Sequence, residues 1–89
     1  MKQRYLEVTY HKGKPLAAYL YLPRRSDAKA ARTEDGGSGM RVDYDATGSA
    51  IGIEITAPAD VTLERVSDLL ERLGQSRLPA DEWAPLEAA

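Results

Sequence analysis

The chain has no cysteine and no phenylalanine, and only one histidine and one tryptophan among its 89 residues. Without cysteine there is no disulfide to staple the fold and no thiolate to hold a metal. His11 stands alone in a basic turn, so it reads as a surface residue and not as a metal ligand or catalytic base. No segment approaches the ~20 apolar residues that span a bilayer. The opening Met1-Lys2-Gln3-Arg4-Tyr5-Leu6-Glu7 has no apolar run of the kind a secretory leader needs, so a cytoplasmic location is the expectation. A basic excess is missing too: twelve Lys and Arg face fourteen Asp and Glu, for a net charge of −2. That balance argues against a dedicated nucleic-acid binder.

Eighty-nine residues make a single domain, 1–89, with one thin core, because a chain of this length buries roughly 60–70% of its unfolded surface. The strongest local pattern lies between Met40 and Thr56. Met40, Val42 and Tyr44 alternate with Arg41 and Asp43, and Ile51, Ile53 and Ile55 alternate with Gly52 and Glu54. Period-two alternation of this kind predicts two strands, each with one apolar face. Asp45-Ala46-Thr47-Gly48 supplies the turn between them. Parity favours a four-residue loop pairing Tyr44 with Ser49, Val42 with Ile51 and Met40 with Ile53. A three-residue loop, with Asp45 opposite Ser49, sets the isoleucines beside Arg41 and Asp43.

A second hairpin precedes it. Leu6, Val8 and Tyr10 alternate with Tyr5, Glu7 and Thr9. Leu16, Ala18, Leu20 and Leu22 alternate with Ala17, Tyr19 and Tyr21. His11-Lys12-Gly13-Lys14-Pro15 turns the chain between the two runs. The register that keeps the aliphatic residues together sets Leu6 opposite Leu20 and Val8 opposite Ala18. It then sets Tyr5 opposite Tyr21 and Glu7 opposite Tyr19 on the second face. A short strand is expected near Lys29 to Thr33, and Asp35-Gly36-Gly37-Ser38-Gly39 reads as a flexible connection.

After Ala57-Pro58-Ala59-Asp60, Thr62 is a good N-cap. Val61 and Val66 have the spacing of a hydrophobic staple. Leu63, Val66, Leu69, Leu70 and Leu73 form one apolar stripe, so a helix is expected over 62–74, closed by Gly74. Asp68 and Arg72 lie four apart and could pair. The remaining tail, 75–89, holds a candidate short helix from Pro79 to Ala84, with Trp83 and Leu86 closing the edge of the core. The fold class is therefore α+β: an antiparallel β-meander of four to five strands over 5–56, with one C-terminal helix packed on one face.

Asp43-Tyr44-Asp45-Ala46-Thr47-Gly48-Ser49-Ala50-Ile51-Gly52-Ile53-Glu54-Ile55 resembles the hairpin of a small bacterial family, the domain of unknown function numbered twenty-two eighty-three. Its members show an acidic turn ending in Gly and then Gly-Ile-Glu-Ile. Ala18-Tyr19-Leu20-Tyr21-Leu22 is similar to that family's second strand. The first turn departs from the family: Lys12 and Lys14 stand where an acidic turn is usual. The resemblance covers roughly residues 5–56. It implies a compact β-rich fold and no activity.

Candidate chemistry is thin. Asp43 and Glu54 share the non-core face, and Glu54 lies diagonal to Arg41, so an ion pair is favoured over paired acid–base work. Asp45 caps its turn, and Asp45-x-x-Gly48 is too short for a calcium loop. Gly36-Gly37-Ser38-Gly39 lacks the spacing of a phosphate-binding loop. Arg24, Arg25, Lys29 and Arg32 beside Tyr19 and Tyr21 form a basic run of the sort that binds single strands, diluted by Asp27, Glu34 and Asp35. Tyr5, Tyr19 and Tyr21 fall on the face opposite the aliphatic core, where either the tail with Trp83 or a partner must cover them. The expectation is a non-catalytic assembly or partner-binding module forming a homodimer, with no cofactor and no metal. The alternative is a weak nucleic-acid-binding or antitoxin-like regulatory protein.

Overall fold

The computed structural model describes residues 3–87. Five strands form one antiparallel sheet: β1 (Tyr5–His11), β2 (Lys14–Tyr21), β3 (Arg32–Gly37), β4 (Met40–Tyr44) and β5 (Ala50–Ile55). Their spatial order is β1-β2-β5-β4-β3. The chain leaves β2, crosses to the far edge, and returns through a three-strand meander that sets β5 against β2. A 3-10 turn (Pro58–Asp60) leads to α1 (Leu63–Arg72), and the chain closes with α2 (Ala80–Trp83) and a second 3-10 turn (Ala84–Leu86). The α+β expectation holds, and the short tail helix begins with Pro79 as its N-cap.

The first hairpin forms in the expected register, with Tyr5 opposite Tyr21, Leu6 opposite Leu20, Glu7 opposite Tyr19 and Val8 opposite Ala18. Its two-residue turn places both Lys12 (φ 52°) and Gly13 (φ 79°) in the left-handed region, the conformation that matches the twist of tight hairpins. A bulge at Leu16 shifts the pairing between Thr9 and Tyr10. Leu16 was expected with the aliphatic core; instead it is 57% exposed, on a hairpin tip that also leaves Tyr10 uncovered.

The second hairpin takes a different register from the one parity favoured. The Asp45 N–H donates to the Ser49 carbonyl at 2.9 Å, so Ala46-Thr47-Gly48 is a three-residue loop with Gly48 at φ 89°. Asp43 then pairs with Gly52 while Tyr44 pairs with Ala50, leaving Ile51 as an extra residue in β5. That bulge restores the alternation the loop had broken. Val42 faces Ile53 and Met40 faces Ile55, two residues beyond the expected partners.

The third strand also differs. It runs from Arg32 to Gly37, overlapping the expected Lys29–Thr33 only at Arg32 and Thr33. The glycines read as a linker belong to this strand and its tight turn. Gly36 is buried, because α1 lies so close that a Cβ there would stand 3.0 Å from Leu69 Cδ2 and 3.1 Å from Val42 Cγ2. A side chain at this crossing would have to push Leu69 and Val42 aside, so the glycine eases the close approach of helix and strand.

Helix α1 follows its sequence signals. The Thr62 hydroxyl accepts from the Arg65 N–H at 3.2 Å. Gly74, at φ 78°, closes the other end: its N–H reaches the Glu71 carbonyl, and the Gln75 N–H reaches Leu70. Val66, Leu69 and Leu70 are buried against Leu20, Val42, Ile53 and Ile55 in one cluster that also takes in Leu78, Trp83 and Leu86. Both helices therefore cover the same face of the sheet. Ser67 is buried as well, and its hydroxyl accepts from the Leu78 N–H at 3.3 Å, tying the tail to the helix. Asp68 pairs with Arg77 at 3.1 Å, not with Arg72.

Candidate functional site

Because Trp83 lies in the aliphatic core, the tail does not cover the tyrosines. The opposite face of the sheet carries Tyr5 and Glu7 from β1, Tyr19 and Tyr21 from β2, Glu54 from β5, Arg41 and Asp43 from β4 and Thr33 from β3. The register sets these residues in cross-strand rows. The three candidate tyrosines are brought together. Tyr5 stacks on Tyr21 with ring centroids 4.5 Å apart, and Tyr19 meets Tyr21 edge-on at 4.7 Å. The Arg24 guanidinium lies 4.3 Å from the Tyr21 ring centroid and 6.0 Å from that of Tyr5, a cation–π cap on the cluster. Tyr5 is 47% exposed at the rim.

Tyr19 is the inner anchor. Its ring crosses β5 above Gly52, where a Cβ would overlap the phenol. Its hydroxyl donates to Asp43 Oδ2 at 2.7 Å, and Thr33 donates to the other carboxylate oxygen at 2.5 Å. One polar row thus links β2, β4 and β3 over a bare glycine in β5. Burial first, and then the bond to the Asp43 carboxylate, push the Tyr19 phenol well above its usual range. A phenol held neutral in this way serves as a hydrogen-bond donor, not as a base at physiological pH.

Tyr21 is also raised, chiefly by partial desolvation and then by nearby Glu7. Its hydroxyl points to Glu7 Oε1 at 3.4 Å. Beside the cluster lies an open recess of about 250 Å³ lined by Tyr19, Tyr21, Arg24, Ala28, Ala30 and Ile51.

The other candidates are used locally. Asp45 Oδ1 accepts from the N–H groups of Thr47 (2.9 Å) and Ser49 (3.0 Å) and from the Thr47 hydroxyl, whose bond leads in holding this carboxyl below its usual value. Glu54 lies directly opposite Arg41, not diagonal to it, and opposite Tyr19 on the other side. The basic run is divided: Arg24 caps the tyrosines, Arg25 pairs with Asp27 at 3.3 Å, and Arg32 pairs with Glu34 at 2.7 Å while lying over Tyr44. His11 is exposed at the end of β1. Among the described residues, no three His, Asp or Glu side chains gather in a metal-binding group. No helix among them is long and apolar enough to cross a membrane.

Two members of this face escaped the sequence reading: Gly52, whose position inside a strand pattern is the usual mark of a close approach, and Thr33, which carried no signal. The tyrosine pair, the glycine and the aspartate all fall between residues 17 and 57, which match the family model described as Protein of unknown function (DUF2283). This segment of the chain is similar to that family. No curated protein and no solved structure matches the chain significantly. The matched segment begins within β2, takes in the rest of that strand with β3, β4 and β5, and leaves β1 and both helices outside it.

Proposed function

We propose that this protein is a non-catalytic assembly module that binds a second copy of itself through the tyrosine-bearing face of its sheet, in the cytoplasm. The observation that carries this reading is the preorganised Tyr5–Tyr21–Tyr19 cluster under Arg24, on the face that both helices leave open. Tyrosine and arginine are the residue types that concentrate binding energy at interfaces, and a stacked, hydrogen-bonded cluster loses little side-chain freedom on binding. The face also carries both signs of charge, Glu7 and Glu54 with Arg41. A two-fold partner can therefore meet it without like charges being forced together. Among the described residues its acidic groups form no metal-binding cluster, and the Asp43 carboxylate is taken up by the Tyr19 and Thr33 hydroxyls, which favours binding over catalysis.

Sedimentation of the wild type and of Tyr5→Glu tests the reading. Tyr5 sits at the exposed rim, so the substitution should leave the fold intact by circular dichroism and lower the associated mass. A wild-type chain that sediments at 9.8 kDa at high micromolar concentration would overturn self-association. Turnover abolished by Asp43→Asn or Glu54→Gln would overturn the non-catalytic reading.

A further inference from the structure

The two edges of the sheet are built differently. The β3 edge carries Arg32, Glu34 and Asp35 among its six residues and ends in a glycine bulge. Charges and bulges on an edge strand are devices that prevent another strand from adding to it. The β1 edge has little of this protection. Its seven residues, Tyr5-Leu6-Glu7-Val8-Thr9-Tyr10-His11, hold one carboxylate, no proline, no lysine and no extra residue of their own. Among the described residues, β1 pairs with β2 alone, so the backbone on its outer side meets no strand. Among the described residues, the large apolar side chains that stay exposed, Tyr5, Tyr10 and Leu16, all lie on this one hairpin.

We propose that β1 is a second self-association site, where two copies join edge to edge as antiparallel strands about a two-fold axis at Val8, making one continuous sheet. The inference does not rest on the tyrosine face. The register follows from the side chains. Centred on Val8, all seven residues pair: Val8 meets the partner's Val8, Leu6 meets the partner's Tyr10, Glu7 meets the partner's Thr9, and Tyr5 meets the partner's His11. Apolar residues stay on one face and no like charges are opposed, which is the arrangement cross-strand pairs favour. Centring on Glu7 sets that carboxylate against its own copy. Centring on Thr9 shortens the ladder to residues 7–11. A one-residue slip mixes the two faces.

The lack of native cysteine makes the test direct. A residue on the two-fold axis faces itself at a Cα separation of about 4.5–5.5 Å, within disulfide range. Val8→Cys should therefore oxidise rapidly to a covalent dimer, while Thr9→Cys and the loop control Thr47→Cys should not. Tyr10→Lys, at an exposed position, should weaken association at least tenfold and lower the sedimenting assembly by one step, with the fold unchanged. The edge proposal is overturned if Val8→Cys cross-links no faster than the controls, or if Tyr10→Lys sediments as the wild type does. Because Tyr10→Lys leaves the tyrosine cluster intact and Tyr5→Glu leaves the Val8 contact intact, sedimenting both, with cross-linking of Val8→Cys in the Tyr5→Glu background, separates failure of the edge from failure of the face.

Discussion

The ring of Tyr19 occupies the space that any side chain at Gly52 would need. Gly52 is not in the left-handed region of backbone space, so its absence of a side chain serves packing and not turn geometry. Gly52→Ala should therefore drive Tyr19 off β5 and break its bond to Asp43, costing about 1–3 kcal/mol in denaturant unfolding. The double variant Gly52→Ala with Tyr19→Ala should cost less than the sum of its parts, because the two residues compete for one volume. Additive losses would show that the overlap does not matter.

Tyr19→Phe keeps the ring over Gly52 and removes only the donor to Asp43. A loss of roughly 1 kcal/mol near neutral pH is expected for a hydrogen bond to a charged acceptor at a half-exposed site. The pH dependence has a definite sign. Burial and the Asp43 carboxylate raise the folded phenol above its unfolded value. The stabilisation is thus fully present below pH ~10, the unfolded value, and fades as the pH climbs toward the folded one. Wild-type stability should fall more steeply than that of Tyr19→Phe above that pH. Parallel curves in alkaline denaturation would remove Tyr19 as the responsible group.

Leu20 and Ile53 pair across β2 and β5 at the centre of the helix-covered face, 1% and 0% exposed. Truncating either to alanine deletes buried methyl and methylene groups and leaves a cavity, for a loss of about 2–5 kcal/mol each. Losses below half a kcal/mol at both positions, an outcome read from chemical denaturation, would contradict this core.

Much of this architecture was legible because parity and capping are local signals. The β1–β2 register followed from keeping Leu6, Val8, Ala18 and Leu20 together, and α1 followed from Thr62, its apolar stripe and Gly74. What escaped reading depends on contacts far away in the chain. The bulge at Ile51 reconciles a three-residue loop with an apolar face, and parity alone cannot distinguish that from a longer loop. Gly36 looked like a linker because the reason for its bareness, Leu69 on the helix, lies 33 positions away. The tyrosine face was correctly placed opposite the core. The tail's path was not fixed by sequence, since Trp83 could have closed either face and went to the one that α1 had already made apolar.

The tail is held there by a charge cluster that the sequence did not announce. Arg77 reaches Glu64 at 2.8 Å, Asp68 at 3.1 Å and Glu71, three carboxylates spaced along one side of α1. These bonds, with Asp68 and Glu71 leading, raise the already high basicity of the guanidinium. The Arg4 guanidinium binds the carbonyls of Ser76 (2.7 Å) and Arg77 (3.2 Å), so the segment that delivers Leu78 and Trp83 to the core is gripped from two sides. An exposed ion-pair network of this kind is weak and screened by salt. Arg77→Ala should accordingly cost less stability than Gly52→Ala. It should also leave α1 with three unneutralised carboxylates, so the deficit relative to wild type should be largest at low ionic strength and shrink toward zero near ~1 M salt, where the Debye length is about 3 Å. Thermal melts of both proteins across a salt series give the readout. A deficit that stays constant with salt would mean that Arg77 holds the tail by packing of its aliphatic stem and not by charge.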